Sequence, residues 1–258
     1  MKKYIHELLK RKDLLIYLVI SGLKAQYRNT FLGYSWWILD PLLMGIVYYF
    51  VRIVIFGMKG ENIGAFLIIG LLGWKWIASS ISSSSKSISG KAKIITQVYL
   101  PKVLFPLGTS MAQLFNFTFG LVTIAVAIAF YRIVPGIELL WLPVIMIIQF
   151  IFLSAISLVI GYYSVFVRDI ENVLTHLMRF WFYGTPVIWE ADRIPERYSW
   201  IIDVNPAAIL LNSYRNIFMY GEQPELDKLF IIGFFSVVVL IYMLYFYSLN
   251  EHKIIKVL

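Results

Sequence analysis

Six stretches of this chain, residues 34–56, 63–83, 103–130, 139–167, 173–189 and 229–249, stay apolar over roughly the length that a hydrocarbon layer ~30 Å thick requires of a helix. The fourth and sixth contain no charge; the fifth is the shortest and carries His176 and Arg179. A backbone with no water to bond can cross a membrane only as helix or closed barrel, and these runs far exceed the ~10-residue alternating strands of a barrel. The pattern therefore predicts helices. Ahead of the first run, Lys10, Asp13, Tyr17, Ser21, Lys24 and Arg28 recur at steps of three and four, one polar stripe on an otherwise apolar segment. Residues 4–28 are expected to form a helix lying in the membrane interface. The basic start followed by Leu14 to Leu23 imitates a signal peptide, but no small-residue cleavage site follows.

Residues 198–220 depart from this pattern. They are apolar but interrupted by Asp203, Asn205-Pro206, Asn212 and Arg215, and neither half is long enough to span. Two short helices that dip into the outer leaflet and return, meeting near Asn205-Pro206, suit such a segment where other protein buries it. An amphipathic helix lying flat outside is the alternative. The predicted fold is an all-α polytopic membrane protein: six transmembrane helices, an N-terminal interfacial helix and a re-entrant external helical pair before the last span, in one domain.

Composition points the same way: 60% of the 258 residues are hydrophobic and 15% charged, too little polar surface for a domain facing water. A net charge of +8 raises the question of nucleic acid, and the placement of the charges answers it. Fourteen Lys and Arg fall in residues 1–33, in 86–102, at Arg168 and at the C-terminus; six (Lys59, Arg132, Arg193, Arg197, Arg215 and Lys228) fall on the other side. The positive-inside rule then makes both termini cytoplasmic and explains the charge without a polyanion. The absence of cysteine removes disulfides and thiolate chemistry.

No P-loop is present: before Gly90-Lys91, Ser85 stands where the first glycine belongs, and Ala92 replaces the hydroxyl. The three histidines have no ligand spacing, and no span holds a carboxylate pair of the kind a proton- or sodium-coupled pump uses. The spans do carry polar stripes at helical spacing. These are Trp37, Pro41, Gly45, Tyr48 and Arg52; Lys75, Ser79, Ser82 and Lys86; Gln113, Asn116, Gly120 and Thr123; Ser154, Ser157, Gly161, Ser164 and Arg168; and His176, Arg179 or Phe180, and Tyr183. Polar groups at membrane depth are expensive against lipid, so these faces should meet protein or water. Helix packing accounts for the small residues, and snorkelling explains Arg52 better than Lys75. The eight serines between Ser79 and Ser89 either continue the second span or form a linker. Trp37, Tyr48, Phe180 and Tyr183 offer flat apolar faces along a wet path, which suit sugar rings.

Several segments resemble one family. Leu23-Lys24-Ala25-Gln26-Tyr27-Arg28-Asn29-Thr30-Phe31-Leu32-Gly33-Tyr34-Ser35-Trp36 with Asp40-Pro41 resembles the entry to the first span of type-2 ABC exporter permeases. Val98 to Leu107 resembles the approach to their third span, Tyr163 to Ile170 the "F-x-RD" end of their fourth, and Thr185-Pro186-Val187-Ile188-Trp189 with Asn205-Pro206 the end of their fifth and the external element. The likeness is strongest to the polysaccharide branch, the O-antigen (Wzm-type) permeases together with capsule and teichoic-acid permeases. It implies a homodimer in the bacterial cytoplasmic (inner) membrane above two nucleotide-binding ATPase subunits. A lipid-linked polysaccharide would pass between protomers, with ATP and Mg on the partner ATPase and no cofactor on this chain. By the same resemblance the loop 86–102 docks on the ATPase through Lys91, Lys93, Ile94, Gln97 and Tyr99, with Arg168, Asp169 and Glu171 as a second contact. Trp37, Tyr48, Arg52, Lys75, Arg179, Phe180 and Tyr183 are the expected channel residues, Arg52 or Arg179 meeting a phosphate. A drug or lipid exporter, or a membrane-embedded enzyme built on Asp192, Glu196 and Asp203, are the competing readings.

Overall fold

The computed structural model describes residues 2–26, 31–55, 57, 60–97 and 100–258, the side chains of Lys2, Lys3, Ile5, Leu9, Ala25, Gln26, Tyr34 and Trp37 excepted. In chain order the α-helices are α1 (Lys2–Lys10), α2 (Lys12–Gln26), α3 (Trp36–Phe50), α4 (Ile63–Ser84), the single-turn α5 (Ala92–Ile95), α6 (Leu104–Phe130), α7 (Leu142–Phe166), α8 (Ile170–Tyr183), α9 (Trp200–Val204), α10 (Pro206–Arg215) and α11 (Leu226–Ile255). There is no strand among the described residues. Among the described residues, five helical stretches are long and apolar enough to cross a membrane: Ile38–Ile55, Ile63–Ser84, Leu104–Phe130, Ile137–Phe166 and Leu226–Ile255. The chain is an all-α polytopic membrane protein.

Both termini lie at one end, here called the base. The Tyr4 hydroxyl of α1 donates to the Glu251 carboxylate of α11 at 2.7 Å, and the same carboxylate accepts the backbone N–H of Lys102 at 3.0 Å. Lys102 is fully buried; burial pushes its ammonium below the ordinary lysine range, and the Glu251 charge opposes that shift. Around this point Tyr4, Ile88, Ile95, Leu100, Tyr162 and Tyr247 belong to an apolar cluster of their own, distinct from the main core. The expected single interfacial helix is broken in two at Arg11, whose N–H bonds to the Leu8 carbonyl in a tighter turn. Lys10, Arg11 and Lys12 meet at that break.

The centre of the bundle is α4: 78% of its apolar window is buried within the chain, against 17% for α3 and 22% for α11. Two of its glycines explain how. A Cβ at Gly73 would lie 2.5 Å from Leu211 Cδ2 of α10, and one at Gly70 would lie 2.5 Å from Arg215 Nη2 and 2.7 Å from the Val187 carbonyl. The missing side chains let α10 lie directly on α4. From α10, the fully buried Tyr214 donates to Gln149 Oε1 of α7 at 2.8 Å, tying the inserted helix to a second span.

The fifth expected span takes a different form. α8 has fourteen residues, or about 21 Å at 1.5 Å per residue, short of a full crossing. Its helix ends at Tyr183 because Pro186 disfavours helical backbone at Thr185. Residues 184–190 then run non-helically to the end opposite the base, where Glu190 meets Arg52.

Candidate functional site

α3, α4 and α8 enclose a cavity of about 500 Å³, open on one side. Tyr48 lines it from α3, Trp74 and Lys75 from α4, and Arg179, Phe182 and Tyr183 from α8. The Lys75 ammonium sits 3.1 Å from the Asp40 carboxylate, so the wall holds an ion pair beside apolar ring faces. The rings brace each other: Phe182 lies 5.7 Å from Tyr48 and 5.6 Å from Trp74, centroid to centroid. Of the residues expected along a channel, Tyr48, Lys75, Arg179 and Tyr183 come together here. Phe180 does not; it is 84% exposed on another face of α8, and Phe182 occupies the wall instead. The signal for Phe182 was its place four residues after Met178, which also lines the cavity. The Trp37 side chain lies outside the described residues.

Above Tyr183 the chain is held by two arginines far apart in sequence, Arg52 and Arg215. Each sits at a wide π turn, Arg52 within Val51–Ile55 and Arg215 just before Asn216–Tyr220, a local widening common at functional sites. Arg215 is buried and donates to the Pro186 carbonyl at 2.6 Å and the Val187 carbonyl at 2.8 Å. These carbonyls have left the helix, and non-helical backbone at membrane depth survives only where protein satisfies it. Arg52, only 4% exposed, pairs with Glu190 and donates to the Ile188 carbonyl at 3.4 Å. A phosphate could reach it only by displacing Glu190. Both guanidiniums reach the Phe66 ring, at 5.1 Å for Arg52 and 3.5 Å for Arg215. Burial pushes the Glu190 carboxyl up, but hydrogen bonds and charge from Arg52 and Arg193 outweigh it and hold the group below its ordinary value.

Asn205 closes the arrangement. Its Oδ1 caps α10 by accepting from Ala207 N–H at 3.1 Å and also accepts from the Trp181 indole at 2.9 Å, while its Nδ2 donates to Thr185 Oγ1 at 2.9 Å. Asn at the cap and Pro206 at the first helical position are the ordinary start of a helix. Here the same residue also fastens α10 to the end of α8.

At the base, Lys91, Lys93, Ile94 and Gln97 are exposed on and around α5, and Arg168 and Asp169 are exposed between α7 and α8, with Glu171 exposed at the start of α8. Lys86 and Glu171 join the two groups by an ion pair of 2.5 Å. Tyr99 lies outside the described residues.

Membrane-crossing helices around an open, aromatic and charged cavity define a transport permease. The chain matches the ABC-2 type transporter family over residues 13–219 and belongs to that family. It is similar to two Klebsiella pneumoniae proteins named O-antigen export system permease protein RfbA. One is 36% identical, covering 88% of this chain and 89% of the relative; the other is 35% identical, covering 81% of each. A Myxococcus xanthus protein of the same name is 31% identical over 93% of each chain.

Proposed function

We propose that this permease is the transmembrane subunit of an ATP-driven exporter that moves a lipid-linked polysaccharide of the O-antigen class across the bacterial cytoplasmic membrane. In this reading two copies face each other, the base and both termini are cytoplasmic, and two ATPase subunits holding ATP and Mg dock against Lys91, Lys93, Ile94 and Gln97, with Arg168, Asp169 and Glu171 beside them. The observation that carries it is the open cavity of Tyr48, Trp74, Phe182 and Tyr183, one wall of which is the poorly buried α3. A second copy across that wall would turn two half-cavities into one passage. Aromatic ring faces give a sugar polymer apolar contact without fixing one hydrogen-bond geometry, so successive residues can slide. The names of the relatives support the substrate class.

The test is reconstitution with the co-purified ATPase in proteoliposomes loaded with lipid-linked polysaccharide. Tyr48→Ala with Tyr183→Ala is expected to lower export strongly while the complex and its ATP hydrolysis persist. Unchanged export would remove the aromatic passage, and a chain that purifies as a monomer with no ATPase would remove the exporter.

A further inference from the structure

The serines that close α4 line a second cavity, at the base. It measures about 370 Å³ and lies between α2, the end of α4 with the turn that follows, and the start of α6. Its polar lining is Ser83, Ser87, Thr109, Gln113, Lys86 and Lys91, with no carboxylate among the lining residues. Glu171, which is not part of the lining, pairs with Lys86, so two lysines border this space with one compensating carboxylate.

The hydroxyls have a defined polarity. Ser87 donates to the Ser84 carbonyl at 2.7 Å and Thr109 to the Phe105 carbonyl at 3.1 Å, which spends their hydrogens on the helices and leaves oxygen lone pairs to accept. Gln113 is only 7% exposed; its Oε1 accepts from Asn116 at 3.1 Å, and among the described residues its amide nitrogen has no protein acceptor. The cavity thus offers positive charge and the Gln113 amide to an anion, and acceptors to hydroxyls beside it. Leu18 and Phe105 supply apolar wall, and α2 also turns Ile16 and Ile20 outwards, at 53% and 45% exposure, as a helix touching lipid would. A narrow gap lined by Leu72, Trp76 and Phe117 as well as Lys75, Ser79, Gln113 and Asn116 shares Gln113 with this cavity and Lys75 and Ser79 with the central one.

We propose that the base cavity binds the phosphate-bearing head group of a membrane lipid. The phosphate sits between Lys86 and Lys91, Gln113 donates to it from the inner wall, and the serine and threonine oxygens accept from head-group hydroxyls. The hydrocarbon tail leaves past Leu18 along α2.

The chain has no cysteine, so Ser83→Cys supplies one thiol whose reaction with a charged maleimide reads occupancy of the cavity in the full-length protein. In maltoside detergent, phosphatidylglycerol at ten times its dissociation constant is expected to slow labelling about tenfold; uncharged diacylglycerol is expected to have no effect. Inorganic pyrophosphate separates the sources. Protection by phosphatidylglycerol, with or without pyrophosphate, upholds the lipid site, and protection by pyrophosphate alone overturns it. Lys86→Gln should raise the lipid concentration for half-protection about tenfold. Gly22 lines the cavity and has no heavy atom within 4 Å of an added Cβ, so Gly22→Trp should fill the space and slow labelling without ligand. Equal protection by diacylglycerol, or an introduced thiol that no probe protects, would overturn the proposal. Neither ATPase nor export enters this measurement, so its failure is distinct from failure of the exporter reading.

Discussion

Asn205→Ala removes the residue that fastens α10 to the end of α8. Three short contacts disappear, the cap on Ala207 N–H at 3.1 Å, the acceptor for the Trp181 indole at 2.9 Å and the donor to Thr185 Oγ1 at 2.9 Å, together with a long bond from Nδ2 to the Gly184 carbonyl at 3.5 Å that adds little. A lost Asn cap costs about 1 kcal/mol, and each remaining bond about 1 kcal/mol more when its partner is left unpaired. Thr185 is fully buried, so no water replaces its partner. The sum, about 3 kcal/mol, corresponds to a Tm lowered by roughly 6–12 °C for a chain of this size. Thermal unfolding of the purified protein in detergent, followed by tryptophan emission, measures it directly. Asn205→Asp keeps both acceptor roles and loses only the amide donor, so it should fall about one third as far. A cycle with Thr185→Val should return a coupling of about 1 kcal/mol. If Asn205→Ala melts within about 2 °C of the parent, or the cycle shows no coupling, the clasp does not hold the two helices together.

Three further outcomes follow from the same geometry. Gly70→Ala places a methyl 2.5 Å from Arg215 Nη2 and 2.7 Å from the Val187 carbonyl, so it should lower stability by about 3 kcal/mol or more by the same melt, whereas Gly22→Ala, with open space around it, should not destabilise. Glu190 is held below its ordinary value of 4.5, so its ion pair with Arg52 contributes fully above the ordinary carboxylate range and is lost as pH falls through the depressed value. Melting the parent and Glu190→Gln across that acidic range should bring their Tm values together. At the base, Glu251→Gln should cost more than Tyr4→Phe, about 3 against about 1 kcal/mol, because it removes the charge that offsets burial of Lys102; equal losses would mean that only the hydroxyl contact matters.

The long spans were legible because lipid demands a continuous apolar run and leaves no local alternative. Asn205-Pro206 was legible as a helix boundary for a similar reason: cap chemistry is carried by adjacent residues. Arg215 was not. Charge placement puts it among six charges on the outer side, yet it is 2% exposed. Its acceptors, the Pro186 and Val187 carbonyls, lack helical partners only because the chain breaks there, nearly thirty residues earlier. No local periodicity encodes a need created that far away. The division of the N-terminal helix at Arg11 was hidden for the opposite reason, since Leu15 N–H still bonds to the Arg11 carbonyl and the spacing of polar positions runs through the kink. On α8 the stripe from Arg179 to Tyr183 was readable, but the choice between Phe180 and Phe182 depended on where α4 presents Trp74.

The separate apolar cluster at the base sets the route by which force can travel. Ile88, Ile95 and Leu100 of the loop 86–102 are embedded with Leu158 and Tyr162 of α7 and Met243 and Tyr247 of α11, and no described residue of α3 or α8 belongs to that cluster. If an ATPase pushes on α5 from below, as proposed, the push would load the lower halves of α7 and α11 together with α1 and the start of α6. The aromatic wall on α3 would receive that load second-hand, through the spans it leans on, whereas α8 is also tied to the loop directly by the Lys86–Glu171 ion pair.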